Sequence, residues 1–396
     1  MNTWLLPDGI NESLPDDAEK LESLRRQLVD LYASWGYRLV MPPLVEYLES
    51  LRVGMGTQLD LQTFKITDQL TGRMMGVRAD ITPQVARMDA HRLSKGDSNA
   101  PVNRLCYIGT VLRTRSVQQG GSRSPVQVGA EIFGHEGVES DFEIISLMLE
   151  TLQSVDVTGS VLDLGHVRVV SGLVENIGLD QQQQDEYFGM LARKSIPEID
   201  RWLENQNLMQ AEVEVLSQLP RLNGGIEILQ QAREILKDAD QSVLDAVDHL
   251  GMICQLIESY FPKVKIHIDL SEMRGYAYHT GIIFSVYLSG RGDSIAQGGR
   301  YDGIGEAFGN HRPAIGFSTD LRTLASFIEE RKTTRKNYIL APYALDKELD
   351  ELINTLRKEG ANVIRQLDKD SGFTAVQYGC SQTIEKHGDA WVVVDL

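Results

Sequence analysis

The residues with the clearest chemical potential lie between positions 104 and 134, RLCYIGTVLRTRSVQQGGSRSPVQVGAEIFG. Two β-rich segments flank a loop that holds Gly120, Gly121, Arg123 and Pro125, so Arg113, Gln127 and Glu131 can project from paired strands into one cleft. Gln127, Gly129 and Glu131 alternate, which puts the amide and the carboxylate on the same face of a strand. A glutamate framed by Val126, Val128, Ile132 and Phe133 is costly to bury without a partner. Two readings are open: a carboxylate kept for a ligand, or a structural ion pair with a neighbour such as Arg113.

A second group lies in EMRGYAYHTGIIF, residues 272 to 284. Tyr278 and His279, read as strand residues, are by themselves packing plus one satisfied histidine. Arg274 before Gly275 is by itself a solvated turn, and GGRYDG a tight turn with a weak anion-nest potential. These segments acquire meaning only as an ordered set.

The elements that must position them follow from periodicity. Leu21, Leu24, Leu28, Leu31 and Trp35 form the stripe of an amphipathic helix, with Asp16 expected as N-cap, Glu19 completing a capping box and Gly36 ending it. YRLVM, TFKITD, RMMGVR, RLCYIGTVLRT and VQVGAEIFG read as antiparallel strands. A helical period returns from about Asp141, and the Gln-, Glu- and Leu-rich stretch from about 172 to 262 reads as a helical insertion. KVKIHIDLS and YHTGIIFSVYL resume the β pattern, closed by SGRGDS with Gly290 and Gly292 able to supply positive φ. After the charged stretch IEERKTTRKNY, the segments KNYILAPY, DKELDELINTLRKEG, NVIRQL and WVVVDL alternate as in a small α/β unit.

Composition narrows the function. Of 396 residues, 39 are Lys or Arg and 56 Asp or Glu, a formal net charge of −17, with 42% hydrophobic and 24% charged residues. That is an ordinary globular composition and argues against a general polyanion binder, since phosphate contacts need clustered cations. No apolar run approaches the ~18 residues that span a bilayer, so a cytoplasmic protein without a membrane partner is expected. Cys106, Cys254 and Cys380 form no CxxC pair, so neither a metal site nor a disulfide framework is expected, and no cofactor.

At this point the ordered segments resemble a known family. RLCYIGTVLRTR and VQVGAEIFG are similar to motif 2 of class II aminoacyl-tRNA synthetases in their histidyl form, and EMRGYAYHTGIIF to the arginine-glycine signature of the histidyl enzymes. AQGGRYDGI followed by RPAIGFSTDLRTL resembles the run into motif 3, GYRLVMPPLVEY the motif 1 dimer strand, and VRADITP an amino-acid-binding loop. The resemblance covers roughly residues 5 to 325. It implies an α+β fold: a class II synthetase-like antiparallel sheet flanked by helices over residues 1–328, with the helical insertion inside it. A linker at 329–335 and a small C-terminal α/β domain at 336–396 would follow. It also implies a histidine pocket of Asp80, Thr82, Arg113, Gln127, Glu131, Arg274, Tyr278 and His279. The two arginines would lie near the ligand carboxylate, which a guanidinium can hold in two hydrogen bonds, with Tyr278 and His279 closing over the ring. Asp80 stands where the family carries the longer glutamate.

The pattern breaks on the nucleotide side. Motif 2 of an active synthetase reads arginine, any residue, glutamate, where this chain has Arg113, Thr114, Arg115. Motif 3 reads glycine, any residue, glutamate, arginine, where this chain has Asp320, Leu321, Arg322, Thr323. Adenylate formation relies on positioned cations, so a carboxylate and a hydroxyl at those places should abolish it. Residues 336–396 carry 7 Lys and Arg against 10 Asp and Glu, where an anticodon-binding domain would need a basic face.

A synthetase fold that keeps its amino-acid pocket while lacking the residues that handle ATP and grip tRNA resembles the regulatory subunits of ATP phosphoribosyltransferase. That likeness implies a chain without catalysis of its own, paired with the short catalytic subunit that joins ATP to phosphoribosyl pyrophosphate in the first step of histidine biosynthesis. It further implies a hetero-octamer, a self-dimer through the motif 1 region around Pro42 and Pro43, L-histidine as feedback ligand, and no nucleic-acid partner. An active histidyl-tRNA synthetase, or a histidine- or tRNA-sensing module acting on another enzyme, are the competing readings.

Overall fold

The computed structural model describes residues 4–53, 57–116, 121–273, 275, 278–328, 338–368 and 374–396. Arg274 and the linker expected at 329–335 lie outside the described residues. The chain divides into two compact units, Met1–Phe327 and Ile328–Leu396.

The first unit is organised by a nine-stranded sheet. Its strands in chain order are β1 Arg38–Leu39, β2 Asn103–Thr110, β3 Val126–Phe133, β4 Ser160–His166, β5 Asn223–Gly224, β6 Lys265–Asp269, β7 Ile282–Leu288, β8 Ala296–Arg300 and β9 Ala314–Asp320. Their spatial order is β1-β2-β3-β9-β8-β7-β4-β6-β5. The pairing is antiparallel except for β1 with β2 and β4 with β6, so the reading of YRLVM as one of a set of antiparallel strands is corrected. Register places Glu131 opposite Gly316, Gly316 opposite Gly299, and Gly299 opposite Ile283, which draws four strands into one floor.

Helix α1, Pro15–Ser34, buries Leu24, Leu28 and Tyr32 and ends where Gly36 takes φ +84°. Its N-cap is Leu14 without a side-chain cap bond, so the expected Asp16 cap is corrected. Pro15 fixes the first helical position, and Asp16 and Asp17 fall inside the first turn, where they complement the helix dipole. Helix α2, Thr82–Met88, opens over the site, and α3, Val138–Gln153, buries Ile144, Ile145, Leu147 and Met148.

Six further helices come next: α4 Val167–Ile177, α5 Gln181–Ala192, α6 Ile196–Leu203, α7 Gln210–Gln218, α8 Ile228–Ile235 and α9 Gln241–Tyr260. The two residues of β5 sit among them and pair with the end of β6. Strand β4 was not legible in the sequence, because His166 is both its last residue and the N-cap of α4, so no turn separates strand from helix. In the turn after β7, Gly290 takes φ +83° while Gly292 does not enter the left-handed region.

A separate three-stranded sheet pairs Val45–Tyr47 and Phe64–Thr67 with Met74–Val77. Helix α10, Leu321–Ala325, closes the first unit. The second unit orders its sheet as β11-β10-β12-β13, with β10 Tyr338–Ala341, β11 Asn362–Arg365, β12 Gln382–His387 and β13 Ala390–Asp395. Helix α11, Lys347–Lys358, buries Leu349 and Ile353 in a core with Ile339, Val363 and Ile384. No helix among the described residues is long and apolar enough to cross a membrane.

Candidate functional site

Glu131 is the centre of the site. It lies on β3, 1% exposed, with its carboxylate bonded by three hydroxyls: Thr82 Oγ1 at 3.0 Å, Tyr107 OH at 3.0 Å, and Tyr301 OH. Arg113 makes no pair with it. Its Nε donates to the carbonyl of Ala79 at 3.2 Å, so the structural ion pair considered from the sequence is corrected. Burial pushes the Glu131 carboxyl up to about 8, against the opposing effect of the hydroxyl bonds and with a smaller upward contribution from Asp80.

Gln127, on the same face, works differently. Its Nε2 donates to Asp80 Oδ1 at 2.9 Å and its Oε1 accepts from the Ile81 amide at 2.9 Å, so both ends of the amide are committed. Asp80 also accepts from the Thr82 amide at 2.9 Å. Gln127 therefore sets the position of Asp80 and of the first turn of α2, and Asp80 is the group turned to the cavity.

Tyr278 and His279 precede β7, which starts at Ile282, so their reading as strand residues is corrected. The Tyr278 ring stacks on Tyr301 with centroids 5.0 Å apart and planes 19° apart, and its buried hydroxyl has no hydrogen-bond partner among the described residues. His279 Nδ1 lies 3.3 Å from the Arg300 carbonyl, and burial lowers its imidazole to about 4, so the ring is neutral near pH 7.

These residues enclose a cavity of 220 Å³ lined by Asp80, Thr82, Glu131, Tyr278, His279 and Tyr301 over a floor of Gly298, Gly299 and Gly316. Lining it are the carboxyl groups of Asp80, Glu131, Asp163 and Glu272, a phenol without a hydrogen-bond partner among the described residues and a neutral imidazole, a set suited to a ligand carrying an ammonium and a polar ring. Tyr107 and Tyr301 were missed from the sequence. The signal for Tyr107 was Gly129 directly opposite, where a Cβ would come within 2.4 Å of the Tyr107 hydroxyl.

A second space of 530 Å³ adjoins the first, sharing Asp80, Gln297 and Ser318. Among its described lining residues the only guanidinium is Arg113, set against Asp80, Asp293 and Asp320. Asp320 caps α10, accepting from the amides of Arg322 at 3.3 Å and Thr323 at 3.2 Å, and also from the Val126 amide at 2.9 Å. Arg322 is turned to the N-terminal segment, with Nη1 donating to Ser13 Oγ at 2.7 Å and Nη2 to the Asn11 carbonyl at 3.4 Å. Thr323 lines the space and Arg115 is exposed. No group of three metal-ligating side chains is found among the described residues.

Known proteins match the chain in both sequence and fold. The histidyl-tRNA synthetase family profile matches residues 9–324, and that of the ATP phosphoribosyltransferase subunit HisZ C-terminal domain matches residues 336–394. The ATP phosphoribosyltransferase regulatory subunits of Thioalkalivibrio sulfidiphilus and Alkalilimnicola ehrlichii are each 48% identical over 100% of this chain, covering 99% and 98% of their own lengths. Among solved structures, an ATP phosphoribosyltransferase regulatory subunit/histidyl-tRNA synthetase from Bacillus halodurans superposes with a TM-score of 0.82 at 26% identity, covering 96% of each chain. The histidyl-tRNA synthetase of Nostoc shares the fold, with a TM-score of 0.78 at 18% identity over 100% of this chain and 97% of that one. Full-length likeness to those relatives, with a synthetase-family body followed by a match to that C-terminal domain, makes the chain a member of the ATP phosphoribosyltransferase regulatory subunit family.

Proposed function

We propose that this chain binds L-histidine in the 220 Å³ cavity and transmits its occupancy to a short-form ATP phosphoribosyltransferase catalytic subunit, with no adenylate chemistry of its own. The observation that carries the proposal is the contrast between the two adjoining spaces. One holds Glu131 on three hydroxyls beside a Tyr278 phenol that has no hydrogen-bond partner among the described residues, and the other sets three carboxylates against Arg113. Asp80 would take the α-ammonium, Glu131 and Tyr278 the imidazole, and Arg113 with Arg274 the carboxylate. A triphosphate entering the larger space would meet Asp320 and Thr323, with Arg322 engaged elsewhere.

Feedback then requires histidine to bind the active and inhibited arrangements of the complex with different affinity, a coupling of typically ~1–3 kcal/mol. The partner arrangement is a hetero-octamer built on self-dimers of this chain. The test has three readouts: calorimetric titration with histidine, histidine-dependent exchange of pyrophosphate into ATP by the isolated chain, and phosphoribosyl-ATP formation by the catalytic subunit with and without this chain and histidine. Binding, no exchange, and activation that histidine reverses are expected. Measurable exchange would show a working synthetase instead, and tRNA binding that persists near physiological salt would favour a tRNA sensor.

A further inference from the structure

We infer that Lys194, a residue of the helical region with no place in the histidine cavity, is a positioning residue for the cavity wall that carries Tyr278 and His279. The inference rests on the reading of that cavity as a histidine site.

The first observation is conformational. Lys194 follows the last turn of α5 with φ +53°, its amide donating to the Leu191 carbonyl at 2.9 Å while the Ser195 amide donates to the Met190 carbonyl at 3.1 Å. That is a Schellman ending, in which the left-handed position is usually glycine because a Cβ there is disfavoured. A lysine occupies it here, and its side chain has a specific target. Nζ bonds Asp269 Oδ2 and donates to Ser271 Oγ at 3.0 Å.

The second observation is what that target does. Asp269 ends β6 at 8% exposure, and its other oxygen accepts from the Ser271 amide at 3.0 Å and from Ser271 Oγ at 2.8 Å, Ser271 being fully buried. The Leu270 amide donates to the Leu222 carbonyl, again from the helical region, at 3.1 Å. The chain then runs on through Glu272 and Gly275, which line the cavity, to Tyr278 and His279. At the far end the Gly281 carbonyl accepts from the Val167 amide of α4 at 3.0 Å. The helical region thus holds both ends of the segment 269–281, by backbone bonds at each and by one charged side chain at the first. A change in that region, such as contact with a partner, would reach the cavity wall through Lys194 without touching the ligand.

The experiment compares wild type, Lys194→Met, Lys194→Gly and Lys194→Arg. Histidine affinity is measured by calorimetry, and amide hydrogen exchange over residues 270–281 is measured without ligand. Lys194→Gly is informative because it relieves the left-handed strain while removing the ammonium. The expected result is about fivefold weaker histidine binding in both the Met and Gly variants, faster exchange over 270–281, and recovery of both in the Arg variant. Unchanged exchange in Lys194→Met and Lys194→Gly would overturn the positioning role whatever the ligand. If exchange quickens while wild-type affinity for histidine is itself undetectable, the histidine reading has failed and the control of the wall by Lys194 stands.

Discussion

A Cβ on Gly316 would stand 1.4 Å from Glu131 Oε2, its register partner across β9 and β3. The buried carboxylate exists because residue 316 has no side chain, not because of an unusual backbone angle. Gly316→Ala should therefore displace Glu131 from its three hydroxyls. Overpacking of this kind costs about 1–3 kcal/mol, and histidine binding should weaken at least about tenfold. Urea denaturation together with calorimetry checks both, and an unaltered affinity would mean that Glu131 does not touch the ligand.

With burial holding Glu131 near 8 against an ordinary value of 4.5, the empty cavity carries a protonated carboxyl through much of the neutral range. A cationic ligand group favours the ionised form, so histidine binding should release a proton below about pH 8, and affinity should rise with pH up to that point by at most about tenfold per unit. The sign for stability is the reverse. Between 4.5 and about 8 the folded form binds more protons at this site than the unfolded form, so Glu131 makes the empty protein less stable as pH rises through that window. Titrations in buffers of different ionisation heat measure the proton, and Glu131→Gln should bind more weakly with a flat pH profile.

Part of this site was open to sequence reading and part was not, for definite reasons. The two-residue period of a strand was enough to place Gln127 and Glu131 on one face, because that relation is local. Tyr301 is 170 positions from Glu131, and its hydroxyl arrives only through the pairing of β9 with β3 and β8, which no local pattern encodes. GGRYDG, read from the sequence as a tight turn, begins inside β8 and gave no sign that its tyrosine points inward. Gln127 had the right face but a different task, since its amide is spent on Asp80 and Ile81. The α1 start was misread because Asp16 satisfies the composition rule for a cap, whereas Pro15 shifts the helix start by fixing φ one residue earlier. Strand β4 went unread because it runs straight into α4, and β12 because Gln382–His387 is mostly polar, with Ile384 its one buried residue.

Asp320, expected from the sequence to weaken a nucleotide site, is a structural residue. It accepts from two amides at the start of α10, from Thr323 Oγ1 at 3.0 Å and from the Val126 amide, joining helix to strand. Asp320→Ala should cost about 0.5–2 kcal/mol, the usual range for a lost cap, and leave histidine affinity unchanged because Asp320 does not line the smaller cavity. It should not create pyrophosphate exchange, since Thr323 still supplies no cation. Thermal unfolding, calorimetry and the exchange assay on one preparation separate these outcomes, and a loss of histidine binding would show that the two spaces function as one.

Asp141 is 1% exposed at the start of α3. Arg300 Nε donates to its Oδ1 at 3.0 Å, and His249 Nε2 of α9 lies 3.0 Å from its Oδ2. Arg300 also donates to Ser140 Oγ at 2.9 Å and to the His135 carbonyl at 3.1 Å, while its own carbonyl accepts from the Thr280 amide at 2.8 Å beside His279. Asp141→Ala removes the more buried of the two carboxylates on Arg300, leaving Asp302 3.2 Å from Nη1, so the cost should approach but not exceed the about 3–5 kcal/mol typical of breaking a buried pair. Asp141→Asn keeps the shape and one acceptor, so it should cost distinctly less. Because Arg300 holds the wall through its backbone, histidine affinity should fall in both variants in proportion to how far β8 is disturbed. Urea midpoints and calorimetry give the two scales. An Asp141→Ala protein within about 1 kcal/mol of wild type would mean that Asp302 already neutralises Arg300, and that the anchor of β8 lies in its strand pairing alone.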